Sequence, residues 1–103
     1  MSNHSEYPTI INLKARAWHA GIPTDLKVKG QVARTLAALI AAKANGITAL
    51  EMSTWAYRLG AYVHNLRHDY NLDIATLREE HPGGWHARYV LHTPVEIQGL
   101  IIE

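Results

Sequence analysis

Four polar side chains between residues 58 and 68 could carry recognition chemistry, namely those of Arg58, His64, Asn65 and His68. At 100° per residue they fall on one side of a predicted helix, beside Ala61. Arginine can donate two hydrogen bonds to guanine, asparagine can pair with adenine, and histidine can meet a base or a phosphate. The alternative is an ordinary solvated helix face.

The two histidines of this face are four residues apart, a spacing that can chelate a transition metal. The chain has no cysteine, and no third ligand is evident near His64 and His68. We therefore predict no metal and no cofactor. Because histidine gains charge near neutral pH, the same pair suggests pH-sensitive binding.

Catalytic motifs are absent from the sequence. It contains no glycine-rich phosphate loop, no G-x-S-x-G and no H-E-x-x-H. The cluster Glu79-Glu80-His81 has no evident nucleophile or base partner. The expectation is that the protein is not an enzyme.

The composition is that of one ordinary globular domain, with 103 residues, 48% of them apolar and 18% charged. Without cysteine, a disulfide scaffold and a thiolate nucleophile are excluded. The apolar run 35–42 is too short for a membrane span, and the N-terminus lacks a secretory pattern. We expect a cytoplasmic protein with no membrane partner. The net charge is only +1, but residues 1–44 are basic, and either an anion or plain solvent can face them.

The sequence predicts helices up to about residue 70 and strands after it. Residues 9–20 suit a helix, with a strand as the alternative. A stronger helix begins near Val28 and ends at Asn45-Gly46. The pattern Thr48-Ala49-Leu50-Glu51 is a capping box that starts a short second helix. A third helix is expected from about Arg58 to Tyr70.

Two strands follow, at residues 72–78 and 85–91, and the turn residues 80–84 join them in a hairpin. Trp85 is expected to cover the core. Thr93-Pro94-Val95-Glu96 is a second capping-box pattern, so residues 93–103 form a short helix or an extended tail. The predicted core consists of Leu36, Leu39, Ile40, Leu50, Trp55, Leu59, Val63, Leu66, Ile74, Tyr89 and Leu91.

Four stretches resemble a family of small winged helix-turn-helix proteins from phages and prophages. They are residues 46–51 (GITALE), residues 58–67 (RLGAYVHNLR), and Leu72-Asp73-Ile74 with Arg88-Tyr89-Val90-Leu91. The resemblance covers about residues 28–92. It implies an α+β, mostly helical fold with a three-helix core and a β-hairpin wing. Residues 1–27 are then an N-terminal extension, 28–92 the winged helix-turn-helix domain and 93–103 the tail.

The resemblance also implies double-stranded DNA as the partner and transcription regulation as the role. The third helix would enter the major groove with Arg58, Ala61, Tyr62, His64, Asn65 and His68. Ser53, Thr54 and Arg88 would hold the DNA backbone. His86 shares a strand face with Arg88, on a wing that would lie along the minor groove or the backbone. The apolar tail, with Ile97, Leu100, Ile101 and Ile102, would suit a homodimer contact.

A protein-interaction module on the same scaffold is the alternative. Tyr62 stands where the family usually has arginine, and Glu79-Glu80 lies beside the tip of the wing. Both features and the near-neutral net charge favour a protein partner over DNA.

Overall fold

The computed structural model describes residues 10–49, 51 and 58–102, and strands occupy more of them than helices do. The first half holds strands β1 (Ile10–His19) and β2 (Ile22–Lys29), helix α1 (Gly30–Ala42), a 3-10 turn (Lys43–Asn45) and strand β3 (Ile47–Thr48). The second half holds helix α2 (Leu59–Asp69) and strands β4 (Ile74–His81), β5 (Gly84–Leu91) and β6 (Val95–Ile102). The expectation of a mostly helical fold is therefore wrong.

Most of the difference between the predicted and the observed fold comes from a three-stranded sheet in the order β2-β1-β6, which we call the terminal sheet. Its strands are antiparallel, and Ala20 (φ 53°) with Gly21 (φ 82°) makes the tight turn between β1 and β2. Along β1 the buried residues Leu13, Ala15 and Ala17 alternate with more exposed ones. This period of two, with a partner strand on each side, fixes a strand. The helix predicted over residues 9–20 is wrong, and the strand alternative is correct.

The C-terminal segment is also a strand. β6 pairs with β1 from Ile10–Ile102 to Ala17–Val95, with two irregularities in register. The hydroxyl of Thr93, expected to cap a helix, instead accepts a hydrogen bond from the Asp73 amide at 2.7 Å. The predicted C-terminal helix is wrong because a short isolated helix is only marginally stable in water, whereas residues 95–102 form a ladder of hydrogen bonds with β1.

Helix α1 lies between the terminal sheet and α2. It begins at Gly30, after the expected start, because β2 continues through Lys29. Ala33, Thr35, Leu36 and Leu39 are its buried residues. Its end before Asn45-Gly46 confirms the predicted stop.

A second sheet, the wing sheet, has the order β3-β5-β4. The predicted hairpin is confirmed: β4 and β5 pair from Ile74–Leu91 to His81–Gly84, around a turn at Pro82-Gly83. β3 pairs with β5 at Tyr89 and Arg88. Gly46 precedes β3 with φ 66°, and a Cβ there would lie 2.5 Å from the carbonyl oxygen of Tyr89. Only glycine allows this close approach.

The core largely matches the prediction from α1 onwards. Leu36, Leu39, Leu59, Val63, Leu66 and Ile74 are buried, while Ile40, Tyr89 and Leu91 are half-buried against them. Leu50 and Trp55 lie outside the described residues. The terminal sheet adds a part that the sequence did not reveal, with Leu13, Ala15, Ala17, Leu26 and Val28. Neither described helix is long and apolar enough to cross a membrane.

Candidate nucleic-acid interface

Helix α2 separates its apolar and polar residues as the wheel predicts. Leu59, Val63 and Leu66 are fully or almost fully buried against α1 and the sheets. The candidate recognition residues lie on the other side, where Arg58, Ala61, His64 and His68 are exposed and Tyr62 and Asn65 are half-buried. The structure thus brings all six to one helix surface. Beyond the last turn, Asn71 takes the left-handed conformation (φ 56°), and the Leu72 amide donates to the Leu66 carbonyl at 3.3 Å.

Arg58 caps the start of this helix. Its carbonyl accepts hydrogen bonds from the amides of Ala61 (2.9 Å) and Tyr62 (3.2 Å), which holds the first turn together. Its side chain is exposed, and no carboxylate among the described residues pairs with it. The positive end of the helix dipole lies at the same place. An anion would therefore meet a charged guanidinium and a favourable dipole together.

His64 and His68 form a pair of neighbouring imidazoles. Their ring centroids are 4.1 Å apart and the rings are tilted by 38°. Within the described part of the chain, no group of three or more His, Asp or Glu residues could hold a metal ion. The two exposed imidazole rings place ring nitrogens that can donate or accept hydrogen bonds side by side on the surface of α2.

The wing has one face towards α2 and one face away from it. Arg67 of α2 donates to the carbonyl of Ile74 (3.0 and 2.6 Å) and to the hydroxyl of Thr76 (2.6 Å). The hydroxyl of Tyr89 lies 3.4 Å from the position of a Cβ on Gly60. Alternate residues of a strand share a face. The face towards α2 therefore continues through Arg78 and Glu80 of β4 and through Ala87 and Trp85 of β5.

Arg78 and Trp85 lie near the tip of the face towards α2. The guanidinium carbon of Arg78 is 4.7 Å from the ring centroid of Trp85 and its Nε is 3.1 Å from Glu80. Trp85 is 53% exposed, so the prediction that it covers the core is wrong. Trp85 is close to the turn of the hairpin, where it pairs with Glu80, and is too far from the buried core to pack against it. Sequence reasoning missed Arg78, although strand alternation places it on the same face as Trp85.

Arg88 lies on the wing face away from α2 and binds two carboxylates. Its Nε donates to Glu79 at 2.6 Å, and its terminal nitrogens donate to Glu51 at 3.0 and 3.2 Å and to the Asn45 carbonyl at 2.9 Å. The guanidinium thus joins both wing strands to the turn after α1. Its predicted contact with a DNA backbone stays a prediction, and such a contact would have to compete with these bonds.

These contacts shift the pKa values of Glu51, Glu79 and Arg88. The hydrogen bond from Arg88 is the main cause that lowers the pKa of Glu51. Hydrogen bonds from Arg88 and then His86 lower the pKa of Glu79. In turn, the bonds to Glu79 and Glu51 raise the pKa of Arg88. All three groups stay charged at neutral pH and hold the base of the wing in place.

His86 shares the face of Arg88. Its Nε2 donates to Glu79 at 2.8 Å, and its ring stacks on His81 with centroids 5.1 Å apart. The other ring nitrogen is buried and has no hydrogen-bond partner among the described residues. As with Arg88, DNA contact by His86 remains a prediction.

The predicted capping box is confirmed in its hydrogen bonds. The Glu51 amide donates to the Thr48 hydroxyl at 3.1 Å, and the Thr48 amide donates to the Glu51 carboxylate at 3.2 Å. The short helix expected after it, with Ser53 and Thr54, lies outside the described residues. Glu51 therefore serves two partners, because the same carboxylate also binds Arg88.

Comparison with known proteins adds one match. A family model described as a winged helix domain matches residues 25–101, which is most of the chain and includes α1, α2 and the wing sheet. No curated protein matches the chain, and no solved structure matches it.

Proposed function

Because the chain belongs to the winged helix domain family, we propose that it binds double-stranded DNA and regulates transcription. The observation that carries this proposal is the open polar surface of α2, with the wing face of Arg78 and Trp85 beside it. A helix of this size fits the major groove, and a two-stranded ribbon fits next to it.

The roles of the α2 residues follow from their chemistry and exposure. Arg58, at the N-terminal end of the helix, would donate to a guanine edge or a phosphate, and Asn65 would pair with adenine. Ala61 is small enough to allow close approach and can contact a thymine methyl group. His64 and His68, with the half-buried Tyr62, would contact bases or the flanking backbone. Arg78 on the wing would add a backbone contact.

Fluorescence anisotropy with a random duplex over a salt series tests the proposal. Wild type is expected to bind, with affinity that falls as salt rises, because phosphate neutralisation releases counterions. Arg58→Ala should weaken binding roughly 10-fold or more, as loss of a good arginine contact does. Lys43→Gln, which removes an exposed cation at the end of α1, is the matched control and should bind nearly as well as wild type. No binding by wild type at low salt would contradict DNA recognition.

A homodimer is part of this proposal, because winged-helix dimers read two half-sites together. The free edge of the terminal sheet supports it. β6 forms that edge with Ile97 and Leu100 exposed, whereas the opposite edge, β2, carries charges and Pro23. Apolar edge strands invite pairing with another strand, and two copies of β6 can pair antiparallel about a twofold axis.

Light scattering after size exclusion tests the dimer. Wild type should have the mass of two chains and Leu100→Lys the mass of one. Leu77→Lys is the control, because Leu77 (48% exposed) matches Leu100 (46% exposed) but lies on the wing. A monomeric wild type, or equal effects of both variants, would contradict pairing through β6.

The phage or prophage origin and the cytoplasmic location rest on the sequence resemblance and on the expected role, and they stay proposals. A protein-interaction module is the second candidate function. The exposed Leu77 and Trp85 on opposite faces of the wing favour it, since large exposed apolar side chains suit a protein partner.

A further inference from the structure

The outer face of the terminal sheet carries an unusual pair of cross-strand neighbours. Leu13 opposite Val28 and Ala15 opposite Leu26 are buried, so these residues define the inner face. The intervening residues point outward in register, with Lys14 directly opposite Lys27. Lys29 follows two residues along β2, on the same face. We name Lys14, Lys27 and Lys29 the sheet lysines.

Two like charges placed directly opposite each other on neighbouring strands destabilise a sheet. The next pair along the same face shows the complementary arrangement, since Arg16 binds Asp25 at 2.8 Å. No carboxylate among the described residues pairs with the sheet lysines, and all three are exposed. At one end of the face Arg16 and Asp25 neutralise each other. At the other end the three lysines have no carboxylate partner among the described residues.

The space above the sheet lysines is open. On the third strand Gly99 stands opposite Lys14, and a Cβ at Gly99 would meet nothing within 4 Å. A shallow depression on this face is lined by Lys14, Lys27, Arg16 and Gln98, and also by Asp25, whose carboxylate binds Arg16. The ammonium groups of the three exposed lysines are therefore accessible to an anion.

Two hydrogen bonds connect the terminal sheet to the residues that follow α2. The hydroxyl of Tyr70, just after the last turn of α2, donates to the Lys27 carbonyl at 3.0 Å. The ring of His19, at the end of β1, contacts the Asn71 carbonyl at 2.9 Å. The terminal sheet is thus attached to the C-terminal end of the recognition helix, on the side away from Arg58.

We propose that the outer face of the terminal sheet is a second phosphate-binding surface, which uses Lys14, Lys27 and Lys29 to hold duplex DNA outside the segment contacted by α2. This inference rests on the proposed function. The ligand is the row of backbone phosphates, because lysines act as mobile point charges that recognise charge and spacing but no base sequence. The phosphates belong either to the flank of the same duplex or to a second duplex.

The test is the salt dependence of DNA binding by the triple variant Lys14→Gln, Lys27→Gln, Lys29→Gln. Each phosphate contact contributes about 0.9 to the slope of log K against log salt, so the triple variant should have a slope lower by roughly 2 to 3. Arg58→Ala, which removes one contact of α2, should weaken binding with a smaller change in the slope. The single variant Lys27→Gln is compared with Lys43→Gln, which controls for the loss of one positive charge elsewhere on the protein. Circular dichroism verifies that the variants fold.

Duplex length distinguishes the two sources of phosphate. If the flank of the same duplex is held, the triple variant should lose affinity for a duplex of about three helical turns but bind a one-turn duplex like wild type. If a second duplex is held, wild type should bind two short duplexes and the triple variant one. Either result supports the surface.

The proposal is overturned if the triple variant keeps the wild-type slope and stoichiometry while Arg58→Ala still weakens binding. In that outcome the proposed function stands and only the second surface fails. If wild type binds no DNA at low salt, both proposals fail together.

Discussion

Replacing Gly46 with alanine should loosen the wing from the body of the domain. Gly46 has φ 66° and ψ −175°, a region that is essentially restricted to glycine. A Cβ there would lie 2.5 Å from the Tyr89 carbonyl oxygen and 2.8 Å from Cγ2 of Val90. The first of these atoms is backbone and belongs to the residue that pairs with Ile47, so it cannot retreat without breaking the β3–β5 ladder.

The size of the effect follows from two separate costs. Backbone strain in this region costs about 1–3 kcal/mol, and forcing an extra methyl group into a packed site typically adds about 1–3 kcal/mol. A domain of this size has a total stability of roughly 5–15 kcal/mol. Gly46→Ala should therefore remove about 2–6 kcal/mol and lower Tm by roughly 10–35 °C.

Urea denaturation followed by circular dichroism measures the loss, with Gly30→Ala as the control. Gly30 also has a positive φ (63°), but a Cβ there would meet nothing within 4 Å. Gly30→Ala should therefore lower the free energy of unfolding only by the cost of backbone strain, about 1–2 kcal/mol. If Gly46→Ala costs no more than Gly30→Ala, the close approach to β5 contributes nothing and the reasoning is refuted.

Three further predictions concern single side chains. Gly60→Ala should raise Tm by a few degrees, because alanine gains about 0.5–1 kcal/mol over glycine within a helix and the new Cβ would reach only van der Waals contact with the Tyr89 hydroxyl; a lower Tm would contradict this. Thr93→Val should cost roughly 1 kcal/mol because the Asp73 amide loses its acceptor, whereas Thr93→Ser should cost less. Arg88→Met should destabilise the protein at pH 7 in urea denaturation. Since Arg88 lowers the pKa of both carboxylates that it binds, that stabilisation is present above their unfolded-state pKa and is lost as pH falls through the folded-state values. The difference from wild type should therefore shrink below about pH 4, and a constant difference down to pH 3 would exclude the ion pairs as its cause.

The parts of the fold that the sequence predicted are those with local signals. The buried stripe of α2 repeats every three or four residues, and the capping box between Thr48 and Glu51 spans a single turn. The β4–β5 hairpin has strands that are neighbours in sequence, joined by Pro82-Gly83. In each case the residues that decide the structure are close together in the chain.

The terminal sheet could not be predicted in this way. β1 is stabilised by β6, which begins about 75 residues later, and its inner face consists partly of Ala15 and Ala17, whose small side chains give a weak alternation. Tertiary pairing overrode the local helical spacing. The same limit applies to the candidate site: the exposure of α2 was predictable, but not that Arg88 is engaged by Glu51, 37 residues away. Nor could the sequence show that the sheet lysines face one another.

The pairing of Ile10 with Ile102 also determines how the domain would respond to tension. The two ends of the described chain leave from adjacent positions at the same end of antiparallel strands β1 and β6. A pull applied through both flanks would load the hydrogen bonds of this strand pair one after another, as in a zipper, because those bonds lie across the strands. Such a pair separates at a lower force than one loaded in shear. β6 would peel away first, while α1, α2 and the wing remained in place.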